Sequence, residues 1–283
     1  MDKKRVSLVL GSGGARGYAH IGVIEELEKR GYEIVSVSGS SMGALIGGLY
    51  ASGKLEEYKK WVLEFNVFDV LKLVDFAFKK SGMINGQKVF EKLEEFIKDI
   101  NIEDLDIKFT AVASDINSRE EVVINSGSLK DAIRASIAIP TLFTPQKIEK
   151  RLLFDGGLCN PLPISCVDKN SDLIIAVNLN DNSEIKEEYS DIFTKTDSLL
   201  ALKISEFITN KSKKGKISYF EIISNSIETM QEVITKQQLK ENSPDIMINI
   251  SSKVCKFYEF HKVNELIEYG RRVAKEYLEK EKN

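Results

Sequence analysis

Apolar residues in the first fifty positions switch repeatedly between two periods. Val6 to Leu10 is a short, nearly continuous apolar run that reads as a buried strand. From His20 to Arg30 the apolar residues Ile21, Ile24 and Leu27 fall on one helical face, and Gly31 stands where a helix stops. Ile34 to Ser38 alternates as a second strand, and Ala44-Leu45-Ile46 opens a second helix. This β-α-β-α opening predicts an α/β fold with a mainly parallel central sheet flanked by helices, and ligands at the carboxyl ends of its strands.

The pattern continues downstream with interruptions. Helices are expected over Leu55 to Phe65, from about Gln87 to Lys98 and over Leu129 to Ile137, with a poorly patterned aromatic stretch, including Phe65 to Phe78, after the first. Strands are expected at Ile107 to Ala113, Glu121 to Ile124, Leu152 to Phe154 and Leu173 to Val177. Residues 4–178 read as the catalytic core and 179–283 as a helical elaboration on the same domain, ending in a strand (Asp245 to Ile250) and a helix (Phe257 to Glu279). Within it, Asp197 to Leu239 spaces Leu199, Leu202, Ile204 and Ile208, then Phe220, Ile223, Ile227, Met230 and Val233, helically around a basic break, Lys211 to Lys216. Two readings of that region stand: a helical pair packed on the core, or an amphipathic lid whose basic turn meets anionic lipid headgroups.

Composition narrows the classes. The 283 residues are 42% hydrophobic and 29% charged, enough for one large domain. A formal net charge of -3 argues against nucleic acid as a partner. Cys159, Cys166 and Cys255 form no CxxC pair and the chain has two histidines, so neither a disulfide framework nor a zinc site is expected. No carboxylates have calcium-loop spacing, and no metal or cofactor is expected. The apolar run after Lys3-Lys4-Arg5 is too short for a signal peptide, and uncharged Ile34 to Gly53 is too rich in glycine and serine for a membrane span. A cytoplasmic protein with peripheral membrane contact is the resulting expectation.

Three motifs can carry chemistry. Gly11-Ser12-Gly13-Gly14-Ala15-Arg16-Gly17 closes the first strand and opens a helix, so its amides converge on one point, as an anion or oxyanion hole requires. A P-loop needs Gly-Lys-Ser/Thr where Arg16-Gly17-Tyr18 stands, and a dinucleotide loop needs a small residue at Arg16, which disfavours both nucleotide readings. Gly39-Ser40-Ser41-Met42-Gly43 lies between a strand and a helix, the context of a nucleophile elbow. To activate Ser41, His20 is in the wrong chain order and His261 sits among Phe257, Tyr258 and Phe260 in the expected terminal helix. Asp155-Gly156-Gly157, after an apolar strand, supplies a carboxylate whose basicity a dry pocket would raise.

These motifs resemble, in order and spacing over most of residues 4–178, those of the patatin-like phospholipases, in particular their short bacterial members. The Gly11 to Gly17 loop is similar to that family's oxyanion loop, Gly39 to Gly43 to its nucleophile motif, and Asp155-Gly156-Gly157 to its aspartate motif. Ala135 to Pro140 with Phe143 and Pro145 resembles its proline-containing block. The resemblance implies a three-layer patatin-like fold and a serine acyl hydrolase acting on lipid or phospholipid esters. It implies a Ser41-Asp155 dyad, an oxyanion hole from Gly13, Gly14, Ala15, Arg16 and Gly17, and support from Gly39, Gly43, Gly156 and Gly157. A patatin-fold regulatory or adaptor protein with weak turnover is the alternative reading.

Overall fold

The computed structural model describes residues 3–64, 87–140, 143–193 and 219–280. The expected aromatic stretch from Phe65 to Phe78, the first half of the expected helical region and its basic break lie outside them. Strand β1 (Arg5–Leu10) leads through a 3-10 turn (Gly14–Tyr18) into α1 (Ala19–Lys29), then β2 (Glu33–Ser40), α2 (Met42–Ala51) and α3 (Leu55–Leu63). After α4 (Gln87–Ile97) come β3 (Lys108–Asp115), β4 (Glu120–Ile124), α5 (Leu129–Ser136), β5 (Gln146–Ile148), β6 (Arg151–Asp155) and β7 (Leu173–Asp181). A 23-residue helix, α6 (Tyr219–Glu241), β8 (Ile246–Ser251) and α7 (Val263–Lys280) complete the described chain.

The eight strands among the described residues form one sheet in the order β5-β6-β3-β2-β1-β7-β8, with β4 also on β3. β3, β2, β1, β7 and β8 run parallel, as the alternating pattern predicts. From β1 the chain winds outward through β2 and β3, while β7 and β8 lie on the other side. The switch of direction therefore falls beside β1, where an α/β sheet opens a crevice at its carboxyl edge. Strand β8 joins β7 in parallel, so the C-terminal part of the chain is built into this sheet.

Register places the chemistry. Ala111 and Val112 of β3 pair with Gly39 and Ser40 of β2 on one edge and with Ile124 and Val123 of β4 on the other. Ala113 to Asp115 keep β4 but exchange β2 for Asp155 to Leu153 of β6, which runs antiparallel. Thus β6 takes over the β3 edge just where β2 leaves it, and the two strands meet end to end. Ser40 lies opposite Val112 and Asp155 opposite Ala113.

Packing follows the apolar faces. Ile21, Ile24 and Leu27 of α1 are buried, each worth about 1.5 to 3 kcal/mol relative to exposure. α1 crosses α7 so closely that a Cβ on Gly22 would lie 1.9 Å from the Ile267 carbonyl oxygen. Ile34 to Gly53 forms buried β2 and the buried α2 rather than a membrane span, and no described helix is long and apolar enough to cross a membrane. Two expectations shift. The strand β5 forms the partner of β6 in a hairpin that no alternation announces, and the terminal helix starts at Val263, not Phe257. Residues before it fold as turns whose backbone serves the glycine loop.

Candidate active site

The elbow forms because β2 ends against α2 with no room for side chains at its two glycines. A Cβ on Gly43 would lie 2.0 Å from the Leu10 carbonyl oxygen, and one on Gly39 would lie 2.4 Å from the Gly43 carbonyl oxygen. The turn between them puts Ser41 at φ 55° and ψ -125°, a conformation that costs a side-chain-bearing residue about 1 to 3 kcal/mol. The Ser41 amide donates to Ser136 Oγ (2.9 Å), whose hydroxyl in turn donates to the Val112 carbonyl (2.6 Å). Ser136, the last residue of α5, therefore braces the elbow against β3. It stands inside the block Ala135 to Pro140 but carries no sequence signal of that task.

Ser41 Oγ donates to Asp155 Oδ2 at 2.5 Å across 114 residues of chain. The other oxygen of Asp155, Oδ1, accepts the Gly157 amide (2.8 Å), which fixes the plane of the carboxylate. Gly156 is required by the crowding at the strand junction: a Cβ there would lie 2.0 Å from the Val112 carbonyl oxygen. Asp155 is 4% exposed. Burial raises its pKa from the ordinary carboxylate range to about 7, against the opposing pull of the bonds from Ser41 and Gly157. A carboxylate so desolvated is a far stronger base than one in water.

Neither histidine shares this geometry. His20, fully buried in α1, bonds through Nε2 to the Gly11 carbonyl at 2.9 Å. A carbonyl only accepts, so Nε2 carries the proton and is committed to the glycine loop. Burial lowers the His20 pKa to about 4. His261 lies in the turns before α7 rather than inside the expected helix. Its two ring nitrogens have no hydrogen-bond partner among the described residues, and it does not line the cavity at Ser41.

The glycine loop is tied down at several points, which sorts its amides. Gly11 N–H donates to Val177, Ser12 N–H to Pro161 and Ala15 N–H to Phe257 carbonyls. Ala15 is thereby removed from the oxyanion set expected from sequence, and Gly17 lies within the i→i+3 ladder of the 3-10 turn. The amides of Gly13 and Gly14 have no such acceptor among the described residues, and both residues line the cavity that holds Ser41 and Asp155. Arg16, 1% exposed, donates from Nε to the Gly13 carbonyl (3.1 Å) and from its terminal nitrogens to Ser252 O, Asn180 Oδ1 and Glu228 Oε1. It locks the loop to β7, to the segment after β8 and to α6. Among the described residues no cluster of His, Cys, Asp and Glu has the makings of a metal site.

The cavity measures about 40 Å³, room for a few waters and well below the several hundred cubic ångströms of a pocket for a drug-sized ligand. Its roof is α6, through Ile223, Ser224, Ile227, Glu228 and Gln231.

A family model described as Patatin-like phospholipase matches residues 8–167. The chain is 32% identical over 329 aligned residues to an uncharacterized NTE family protein of Mycobacterium tuberculosis, covering 97% of this chain and 91% of that relative. It is 34% identical over 167 residues to the neuropathy target esterase sws of Drosophila persimilis, covering 56% of this chain and 11% of that much longer protein. The crystal structure of VipD from Legionella pneumophila shares the fold with a TM-score of 0.53 at 16% identity, over 99% of this chain and 67% of that one. With the family model spanning more than half of the sequence and a relative matched over nearly its whole length, the chain belongs to the patatin-like phospholipase family.

Proposed function

We propose that the protein is a carboxylic ester hydrolase of lipid or phospholipid substrates, working through a Ser41-Asp155 dyad and an acyl-enzyme. The observation that carries this reading is the 2.5 Å bond from Ser41 Oγ, on its strained elbow, to a buried Asp155 whose pKa is raised to about 7. Asp155 takes the hydroxyl proton as Ser41 Oγ attacks the ester carbonyl, and the amides of Gly13 and Gly14 receive the oxyanion. The protonated Asp155 then gives its proton to the leaving alkoxide. In the second half water attacks the acyl-enzyme, again losing a proton to Asp155, and Ser41 leaves with that proton restored. One oxyanion donor of this type is worth about 2.7 to 4 kcal/mol.

Ser41→Ala and Asp155→Asn should each lower hydrolysis of a short-chain chromogenic ester by about a thousandfold or more with the circular dichroism spectrum unchanged. A fluorophosphonate probe should label the parent protein at Ser41 and leave Ser41→Ala unlabelled. Turnover surviving in Asp155→Asn, with loss in His20→Ala, would replace the dyad by a histidine mechanism. A folded parent that neither labels nor turns over would leave the adaptor reading in its place.

A further inference from the structure

A surface helix normally turns its apolar stripe to the core and its polar residues to water. Helix α6 is built the other way round. Its inward side carries buried Ser224, Gln231 and Thr235 together with half-buried Glu228 and Gln238, a polar series at spacings of four and three, and only near its end does Leu239 pack on an apolar cluster around Leu162. Glu228 bonds Arg16 (2.7 Å) and Gln238 bonds Asn160 Oδ1 (2.9 Å), so this stripe grips the core by polar contacts. The outward side carries Ile222, Met230 and Val233 at 50%, 53% and 60% exposure. At about 100° per residue these three fall within roughly 80° of the helix surface. Of the residues that set the apolar spacing read from the sequence, Ile223, Met230 and Val233 turn to solvent, whereas Ile227 is half-buried at the cavity.

Two further observations say what covers that face. Ile223 is both partly exposed beside the outer stripe and part of the cavity lining, so apolar surface runs without a break from the outside of α6 to the chamber of Ser41. The exposed charged side chains from Ile222 to the end of α6 are Lys236, Lys240 and Glu241, of which Lys236 is paired with half-buried Glu232, so the stripe is bordered by nearly balanced charge. An apolar stripe continuous with the cavity matches the acyl region of a lipid bilayer.

We propose that the exposed face of α6 is the surface by which the protein docks on a lipid bilayer, bringing the roof of the Ser41 cavity to the interface from which, on the hydrolase reading above, the substrate comes. Docking exchanges water for acyl chain at Ile222, Met230 and Val233. It also places the helix that roofs the cavity where lipid can compete with the Arg16-Glu228 and Asn160-Gln238 contacts.

The test uses the whole chain with Ile222, Met230 and Val233 changed together to Gln, which favours helix about as well and lies outside the cavity. In co-sedimentation with phosphatidylcholine vesicles, the parent should bind, and salt should change that binding little, because the contact is apolar. The triple variant should lose at least about tenfold in vesicle affinity while hydrolysing a soluble short-chain ester at the parent rate. Met230→Trp should bind more tightly, since an interfacial indole adds apolar area with a polar handle, and it decides the matter if the triple variant fails to fold. Equal vesicle binding by parent, triple variant and Met230→Trp would overturn the proposal. So would a parent dimer that the triple variant dissociates with no change in vesicle binding, or a large fall in melting temperature with binding intact, which would mean that the chain itself covers the face. Vesicle binding by Ser41→Ala, equal to the parent, separates the two readings: docking then stands even if no ester hydrolysis is found.

Discussion

Helices α1 and α6 both press on the glycine loop, and they are held by different balances of apolar and polar contact. α1 leads directly out of the loop and buries Ile21, Ile24 and Leu27 against the sheet and α7, with buried His20 among them as the polar residue that ties the helix to the Gly11 carbonyl. α6 reaches the same loop through Arg16 and lays Ser224, Gln231 and Thr235 inward. Burial of apolar area is non-directional and large, whereas net hydrogen bonds are worth about 0.5 to 1.5 kcal/mol each and water can replace them. The loop is thus anchored permanently on one side and conditionally on the other. On the proposed hydrolase reading, that asymmetry lets the site open toward a lipid while the Gly13 and Gly14 amides stay in place.

The sharpest way to break this contrast is Leu27→Ala, which should lower the unfolding free energy by about 2 to 5 kcal/mol, read by urea denaturation. A loss below about 1 kcal/mol would deny α1 its anchoring role. Next in size is the pH profile, because α1 also carries the rival base. If Asp155 accepts the proton, kcat/KM for a soluble ester rises with pH and levels off above about 7, falling roughly tenfold per pH unit below that. A limb near pH 4 would instead belong to His20. The linked stability has a definite sign. Asp155 has a folded pKa above its unfolded one, so its contribution is complete below about pH 4 and is lost as pH rises through about 7. Asp155→Asn should therefore melt higher than the parent at pH 8, with the difference closing toward pH 4.

Much of the catalytic half is legible in the sequence because its residues are positioned by backbone. Gly39, Gly43 and Gly156 are required where main chains pass within contact distance, and glycine at such spacing is a local signal. Orientation of α6 is not legible in the same way. Ile223, Ile227, Met230 and Val233 define a face, but periodicity says which residues share a face and not which way it turns. The competing series Ser224, Glu228, Gln231, Thr235, Gln238 has the same period and was available to be read. The brace from Ser136 and the spent amide of Ala15 depend on contacts far apart in sequence, with a separation of 95 residues for the first. No local pattern encodes them.

Smaller effects sharpen the picture of α6. Glu228→Gln keeps a hydrogen bond to Arg16 but removes the charge, and should cost about 1 kcal/mol or less in global stability because Glu228 is a third exposed. Its signature is local: amide exchange in α6 should quicken several-fold while α1 is unaffected, by hydrogen-deuterium exchange mass spectrometry. Least of all is Thr235→Val. Thr235 is 3% exposed and its hydroxyl has no partner among the described residues, so replacing it with an apolar isostere should be neutral or stabilising by up to about 1 kcal/mol. A clear loss in thermal melts would show that the hydroxyl is satisfied in solution.

The end-to-end meeting of β2 and β6 on one edge of β3 makes catalysis a gauge of strand alignment. β6 is held there by three residue pairs, Asp155 to Leu153 against Ala113 to Asp115. Because side chains alternate across a sheet, a slip of one residue in that short ladder turns the carboxylate of Asp155 to the opposite face while sacrificing little of the total pairing. Such a molecule would be compact, soluble and spectroscopically ordinary, yet silent toward substrate. Specific activity is therefore a finer measure of correct folding in this chain than any bulk probe of secondary structure, and a preparation can be fully folded by the second standard and only fractionally so by the first.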